Sequence, residues 1–403
     1  MTDGDLPGSR AGERADAGDG TPAPSLWELV VTYLKISLLG FGGPNAHLGL
    51  MLDEVVERRR WLTREGFLEI MAITNLLPGP NSSEVAIHVG YSQRGWAGAL
   101  ATGLTFLMPT FIMVTGLSAL YFRFGSLPQI ESIFWGLQPV IVAVVLSAGW
   151  KIGRAGVKNP IQGMLAVAGA GVSLVSGQAI IGAMVLGGLA TWWLRRTERG
   201  ETSAPERNDG PTSRAGWLFL PQALAGLSLG TLGTVFLTHL WIGAVLFGGG
   251  YVLVALLQPY AVEQYGWLTS TQFLDGVALT QAVPGPISTL SAFVGYAAAG
   301  VPGAILGTLG IYLPAFVSVL AVAPRLEHLR RVEPVRHALE GVVAVVAGAV
   351  VGVGASLLVA GVRDGVAAAI LVGALGLTVW RKTPALWLVA GGLVAGILHT
   401  LLA

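Results

Sequence analysis

The sequence predicts an all-α integral membrane protein made of two inverted homologous repeats, each of about five membrane-spanning helices plus a Pro-Gly-Pro re-entrant hairpin. Three observations carry that expectation. The composition is apolar with its charge pushed to a few places, one unit recurs at an offset of 206 residues, and Arg-rich and Arg-free loops change places between the two copies.

Of 403 residues, 53% are apolar and 12% charged, about half the charged fraction of an ordinary soluble domain. No Lys or Arg occurs between Arg214 and Arg325. A soluble chain would not stay dispersed with so long a stretch free of cationic side chains, so a secreted or cytosolic enzyme is excluded. The chain has no Cys, which removes disulfides, thiolate metal sites and thiol catalysis together. With a net charge of +1 and no basic stretch interleaved with aromatics, no nucleic-acid partner is expected. Residues 1–25 are rich in Gly, Asp, Ala and Pro, lack the apolar core of a signal peptide, and read as a disordered tail.

The repeat is visible residue by residue. Phe41-Gly42-Gly43 matches Phe247-Gly248-Gly249, Trp61-Leu62-Thr63 matches Trp267-Leu268-Thr269, and Pro78-Gly79-Pro80 matches Pro284-Gly285-Pro286; beyond a deletion the offset is 205, with Gly90-Tyr91 on Gly295-Tyr296. The first repeat occupies 26–194, a polar linker with an interfacial segment 195–230, and the second repeat 231–403. Helices are expected near 27–50, 97–121, 131–151, 160–176 and 178–194, and again near 231–257, 301–322, 338–360, 365–380 and 384–402. Each flank of Pro-Gly-Pro is about 12 residues, or about 18 Å as helix, too short for a hydrocarbon core about 30 Å thick. A re-entrant hairpin suits that length.

Basic residues set the orientation. With the hairpin re-entrant, Arg58, Arg59, Arg60, Arg64, Arg94, Lys151, Arg154, Lys158 and the linker arginines all fall on one side, the cytoplasmic one, and Arg123 alone falls outside. In the second copy the loop equivalent to 58–64 has no Lys or Arg, whereas Arg325, Arg330, Arg331 and Arg336 stand in a later loop, so the copies are inverted. Five spans per copy place the N-terminal tail and the C-terminus both outside. Residues 217–230, with Pro221, read as an interfacial helix.

A Pro-Gly-Pro at membrane depth leaves backbone groups without helical partners, tolerated only where protein or a water-filled cavity covers them. Pro80 and Pro286 suit the first turn of the next half-helix, so Asn81, Ser82, Ser83 and, in the second copy, Ser288 and Thr289 present amides and hydroxyls there. Two positive helix ends facing each other make a site for an anion; a pair of structural kinks is the plain alternative. The runs Phe41-Gly42-Gly43-Pro44 and Phe247-Gly248-Gly249-Gly250 interrupt the first helix of each copy, for unwinding or for close packing. Lys35 lies inside an apolar helix, where an ammonium needs a partner: an anionic substrate, Glu84, or water reached by snorkelling. Glu84 and His88 share a helix face at i and i+4 and are candidate proton-coupling residues, or a static hydrogen-bonded pair. His47 is a weaker candidate of that kind; His239, His328, His337 and His399 look peripheral.

The run Leu34-Lys35-Ile36-Ser37-Leu38-Leu39-Gly40-Phe41-Gly42-Gly43-Pro44-Asn45-Ala46-His47, with Trp61, Leu77-Pro78-Gly79-Pro80, Phe247-Gly248-Gly249-Gly250-Tyr251 and Val283-Pro284-Gly285-Pro286, closely resembles the two-domain chromate ion transporter family. The resemblance covers nearly all of 26–402. It implies a bacterial inner-membrane protein that exports chromate, an oxyanion shaped like sulfate, and confers chromate resistance. It also carries Lys35, Gly42, Gly43, Pro44, Pro78, Gly79 and Pro80 to the first-domain motif, and Gly248, Gly249, Gly250, Pro284, Gly285 and Pro286 to the second. Trp241 stands where a second Lys is often expected, against a symmetric two-lysine site.

The residues alone reach an anion transporter; chromate comes from the resemblance. Sulfate or another oxyanion is the nearest alternative, and an intramembrane enzyme acting on lipid phosphate a remoter one, for which Lys35, Glu84 and His88 offer no carboxylate pair or His cluster. Expected partners are a chromate or sulfate-like oxyanion, protons as the candidate coupling ion, membrane lipid, and a second copy of the chain in a candidate homodimer. No cofactor or metal is expected, and no nucleotide fingerprint is present, so an ion gradient is the expected energy source.

Overall fold

The computed structural model describes residues 23–41, 43–125, 127–198, 230–322 and 333–402. The expected disordered tail up to residue 22, Gly42, residues 199–229 of the polar linker and its interfacial segment, Arg325, His328, Arg330 and Arg331 lie outside the described residues. Regular structure among the described residues is helical throughout, in fourteen α-helices with a few short 3₁₀ and π turns. Among the described residues, five segments are long and apolar enough to cross a membrane: Asn81–Phe124, Ile130–Gly156, Gly177–Arg196, Ile287–Ala321 and His337–Gly361. Together with the repeated unit they make this a multi-pass membrane protein.

Helix α1 (Leu26–Leu39) opens on a capping box in which Ser25 and Glu28 satisfy each other's amides at 2.7 and 3.2 Å. Those bonds hold the Glu28 carboxyl below its usual range. One face of the helix buries Leu29, Tyr33 and Ile36, and Ser37 donates to the Phe106 carbonyl at 2.8 Å. The helix stops at Gly40. Pro44 then opens α2 (Pro44–Met51), which runs on as a π turn, Leu52–Arg58.

The sequence reads 27–50 as one interrupted helix, but the structure folds it back on itself. Lys35 pairs with Glu54, although 19 residues of straight helix would hold them about 28 Å apart. Arg94 donates to the carbonyls of Pro24 at 2.6 Å and Ala23 at 3.1 Å. The start of α1 therefore lies on the same face as the arginines at 58–60 and 94, and the expectation that the N-terminus lies on the opposite face is corrected. Residue periodicity is the same for collinear and folded-back halves, so only the turn at 40–43 decides between them.

A second hairpin follows from α3 (Arg64–Thr74) through the Pro-Gly-Pro break into α4 (Asn81–Phe124). Helix α4 is itself two legs, because Gly95 takes φ of 59° and the chain reverses there. Thr102 donates to the Ala86 carbonyl at 2.7 Å across 16 residues, and a Cβ on Gly98 would lie 2.0 Å from the Gly90 carbonyl oxygen. The small residues let the legs touch along their backbones. The second unit repeats this in α8 (Thr231–Ala244), α9 (Gly250–Gln258), α10 (Ser270–Ala282) and α11 (Leu290–Val322), with Gly300 reversing the chain at φ of 62°.

The remaining helices are α5 (Pro128–Gly156), α6 (Pro160–Val175) and α7 (Ile180–Glu198), and in the second unit α12 (Glu333–Gly361), α13 (Gly365–Trp380) and α14 (Ala385–Leu402). The repeat-equivalent helices α5 and α12 pack antiparallel: Gly156 abuts Val343, Gly149 abuts Val351, and Gly361 abuts Val142. Equivalent pairs recur beside that contact, since Gly136 of α5 meets Gly392 of α14 and their counterparts, Gly341 of α12 and Gly187 of α7, meet in turn. Antiparallel packing of equivalent helices with reciprocal contacts is what a twofold axis between inverted units produces.

The faces agree. On the Arg-rich face, Gln162 and Arg195 of the first unit reach Glu340 at 3.2 and 3.7 Å. On the other, Tyr121 bonds Asp275 at 2.7 Å and Trp135 bonds Asp364 at 2.8 Å. Loop 264–270 thus lies opposite loop 58–64. Trp27, Trp96, Trp150, Trp193, Trp380 and Trp387 are all exposed and all lie toward the Arg-rich face, as an interfacial aromatic belt would.

Candidate functional site

The four helix breaks meet in two crossed pairs. The Gly79 amide, in the first Pro-Gly-Pro, donates to the Leu246 carbonyl at 2.7 Å, and the Gly285 amide, in the second, donates to the Gly40 carbonyl at 3.0 Å. These bonds are repeat equivalents of one another. Each ties the Pro-Gly-Pro of one unit to the Phe-Gly-Gly of the other, and Thr110 adds a 2.8 Å bond to the Pro284 carbonyl. The chain reaches these positions only through glycine, with φ of 83° at Gly43, 150° at Gly79, 99° at Gly248, 100° at Gly249 and 116° at Gly285.

Each break releases a helix N-terminus whose first amides have no intrahelical acceptor. Helix α4 starts directly after Pro80, and a 3₁₀ turn (Ile287–Thr289) leading into α11 starts after Pro286. Gly250 brings the start of α9 against Ile287, where a Cβ would lie 2.2 Å from the Ile287 side chain. Pro44 and Asn45 begin α2. Four N-termini, two per unit, are therefore gathered at the crossed breaks.

The hydroxyls around them are differently committed. Ser82, Ser83, Ser288 and Thr289 are all buried. Ser288 shares a 2.6 Å hydrogen bond with the Tyr312 hydroxyl, Thr289 donates to the Pro286 carbonyl at 2.8 Å, and the Ser83 hydroxyl is buried beside the same Tyr312 hydroxyl. Asn81 is held sideways, donating to Asn75 at 2.6 Å and accepting from Thr74 at 3.1 Å, so its side chain braces the break while its amide stays at the helix end.

Three titratable side chains lie at or next to the breaks. Glu84 is fully buried, neither oxygen has a hydrogen-bond partner, and Oε1 lies 2.7 Å from where a Cβ on Gly79 would stand. His88 is also buried, but it does not bond Glu84, and its Nδ1 is unpartnered. His47 is closer to the centre than its sequence position suggested. Its Nε2 lies 2.8 Å from the Gly40 carbonyl, which can only accept, so Nε2 carries the hydrogen. That carbonyl also receives the Gly285 amide, and His47 stands edge-on to Phe106 with ring centres 5.2 Å apart.

Lys35 has a partner that sequence reasoning missed. Glu54, with its side chain 5% exposed, accepts from Lys35, from Arg58 at 3.4 Å and from Arg59 at 3.4 Å; Glu84 is not its partner. The signal for Glu54 was hidden by the chain reversal at 40–43. His239 also departs from expectation: it is fully buried, with Nδ1 2.7 Å from the Val235 carbonyl, because the reversal of α11 packs Gly307 and Gly310 against it. Asp275 was overlooked as well, although an Asp within Phe273-Leu274-Asp275-Gly276-Val277 was a legible signal.

The family described as Chromate transporter matches residues 27–192 and 233–397, once per unit. The chain is 29% identical over 341 residues to the chromate transport protein of Cupriavidus metallidurans, covering 82% of each chain. It is 31% identical over 338 residues to the chromate transport protein of Pseudomonas aeruginosa, covering 81% of this chain and 80% of that one. The uncharacterized transporter YwrA of Bacillus subtilis is 33% identical over 174 residues, 41% of this chain but 97% of its own, so it has about the length of one unit. No solved structure matches. Two matched units, the paired glycine-proline breaks in both, and relatives aligned along four-fifths of their length lead to one assignment: this chain belongs to the chromate transporter family.

Proposed function

We propose that the protein is a secondary active transporter that exports chromate across the bacterial inner membrane and so confers chromate resistance. The crossed bonds Gly79 to Leu246 and Gly285 to Gly40 carry this reading, because they bring helix breaks of two inverted units together. Helix N-termini are ready sites for oxyanions, and a site on the axis between inverted repeats is reached from either face as the units rock. The half-length legs of both hairpins fit re-entrant segments that meet at mid-depth.

On this reading the dianion is bound by backbone amides at Asn81, Ser82 and Ser288, with the hydroxyls of Ser82 and Ser83 turned toward it. Thr289 serves through its cap on Pro286. Gly42, Gly43, Pro44, Asn45, Gly248, Gly249 and Gly250 shape the opposing breaks, and Pro78, Pro80, Pro284 and Pro286 start and stop the half-helices. Lys35 stands with Arg58 and Arg59 on the cytoplasmic approach, where three cations meet Glu54 and Asp53 and leave one positive charge for an arriving anion. Glu84 and His88 carry the coupling proton, next to the bound charge. The names of the relatives support chromate over sulfate, since amide donors alone accept both tetrahedral dianions.

The test is uptake of labelled chromate into inside-out vesicles under imposed potential and pH gradients. Uptake driven by a gradient, and competed by chromate more strongly than by sulfate, is the expected result. Vesicles that hold the protein yet take up no chromate under any gradient would overturn it, and stronger competition by sulfate would reassign the substrate.

A further inference from the structure

Asp275 lies outside the paired glycine-proline runs, and it ties the second unit's hairpin to the first unit on the face away from loop 58–64. It is 4% exposed, and its two oxygens face two donors from the other unit. Oδ2 accepts from the Tyr121 hydroxyl of α4 at 2.7 Å, and Oδ1 accepts from the Gln138 amide of α5 at 2.8 Å. Beside it opens a cavity of about 240 Å³ lined by Tyr121, Glu131, Gln138, Thr271, Asp275 and Arg363 among others. Arg363 is exposed at its edge and donates to Thr271 at 3.3 Å.

The geometry points to Asp275 as a proton-binding latch: as a carboxylate it ties the two units together at the outer face, and when it takes up a proton the tie loosens and the cavity opens. A carboxylate accepts from both donors, and such charge-assisted bonds are about twice as strong as neutral ones. A proton on either oxygen makes that oxygen a donor, so the group facing it must turn over or let go, and the bonds that remain are neutral. The proton comes from the outer aqueous phase through the cavity.

The groups facing Asp275 are few. Helix α4 brings Tyr121, α5 brings Gln138 and Glu131, the turn after α12 brings Arg363, and α11 brings the Phe293 ring against Tyr121. Glu131 and Arg363 are the charged neighbours and oppose each other in sign. The repeat equivalents of Asp275 and Gln138 are Glu69 and Val343, and Val343 has no donor, so the inner face lacks the same latch. Helix α10 runs from the latch to the second Pro-Gly-Pro and its bond to Gly40, so a shift at Asp275 reaches the breaks through one rigid element.

This inference rests on the transport reading above, but its test reads the cavity and not transport. The chain has no Cys, so Thr271→Cys is a single reporter of the cavity. Labelling by a membrane-impermeant maleimide is measured on intact cells or right-side-out vesicles and divided by that of Leu127→Cys on the same face, which cancels the titration of the thiol. Relative labelling of Thr271→Cys is expected to rise on the order of tenfold between about pH 8 and about pH 5. Added Asp275→Ala makes it high at both, and added Gln138→Leu raises it at the higher pH. Added Asp275→Asn, which like the protonated acid leaves only neutral bonds, makes it high and independent of pH. Equal relative labelling at the two pH values in the parent, or an unchanged pH profile with Asp275→Asn, would overturn the latch; lost chromate transport with the expected labelling would overturn only the substrate reading.

Discussion

The Gly79 amide donates to the Leu246 carbonyl across 2.7 Å, which joins a helix break in one unit to a different break in the other. Its counterpart, Gly285 to Gly40, lies at 3.0 Å. Neither break is therefore complete within its own unit, and a change at one is felt by the partner unit through a single hydrogen bond.

Valine at either glycine is expected to leave the protein in the membrane and abolish transport. A Cβ on Gly285 would lie 1.7 Å from Thr110 Oγ1, and one on Gly79 would lie 2.7 Å from Glu84 and 2.8 Å from Ala315. Left-handed backbone adds roughly 1–3 kcal/mol of strain for a residue with a side chain. Thermal unfolding in detergent should show the larger loss for Gly285→Val, because Thr110 is itself pinned to the Pro284 carbonyl. Normal transport in both variants would return these turns to scaffolding.

Single cysteines at Thr63 and Thr269 are expected to label from opposite faces, and one at Ser25 from the same face as Thr63. The last follows from Arg94 holding the Pro24 carbonyl at 2.6 Å. Labelling of Ser25→Cys and Thr63→Cys from different sides would defeat the folded-back first hairpin.

Replacing Lys35 with Met removes the ammonium and leaves Glu54 to Arg58 and Arg59. Because the Lys35 side chain is 45% exposed, a coupling to Glu54 of roughly 1 kcal/mol is expected in a double-mutant cycle with Glu54→Gln. The double variant should recover stability without recovering chromate affinity. Recovery of both would make Lys35 a structural partner of Glu54 and not a substrate contact.

Glu84→Gln keeps the shape of a fully buried side chain and carries no charge, so stability within about 1 kcal/mol of the parent is expected. Chromate uptake should lose its dependence on an imposed pH gradient and keep its dependence on potential. Unchanged dependence on the pH gradient would take Glu84 out of the coupling step.

Much of the fold was legible because membrane helices are punctuated by the residues that end them. The helices expected near 365–380 and 384–402 appear as Gly365–Trp380 and Ala385–Leu402, each bounded by a Gly or Pro and flanked by charge. The folded-back first hairpin was not legible, since Phe41-Gly42-Gly43-Pro44 announces an interruption but not its angle. The same turn hid Glu54 from Lys35, and the reversal at Gly300 hid the burial of His239.

By itself the sequence determined the membrane class, the doubled unit, the inversion of its copies and the glycine-proline breaks, because each follows from composition and local pattern summed along the chain. Only the tertiary structure decided which break bonds which, that Lys35 meets Glu54, that His47 reaches the Gly40 carbonyl and that Asp275 ties the two units. Those pairings depend on backbone angles at a few glycines, and a rigid helix turns a change of angle at its end into a displacement of many ångströms at its far side chains.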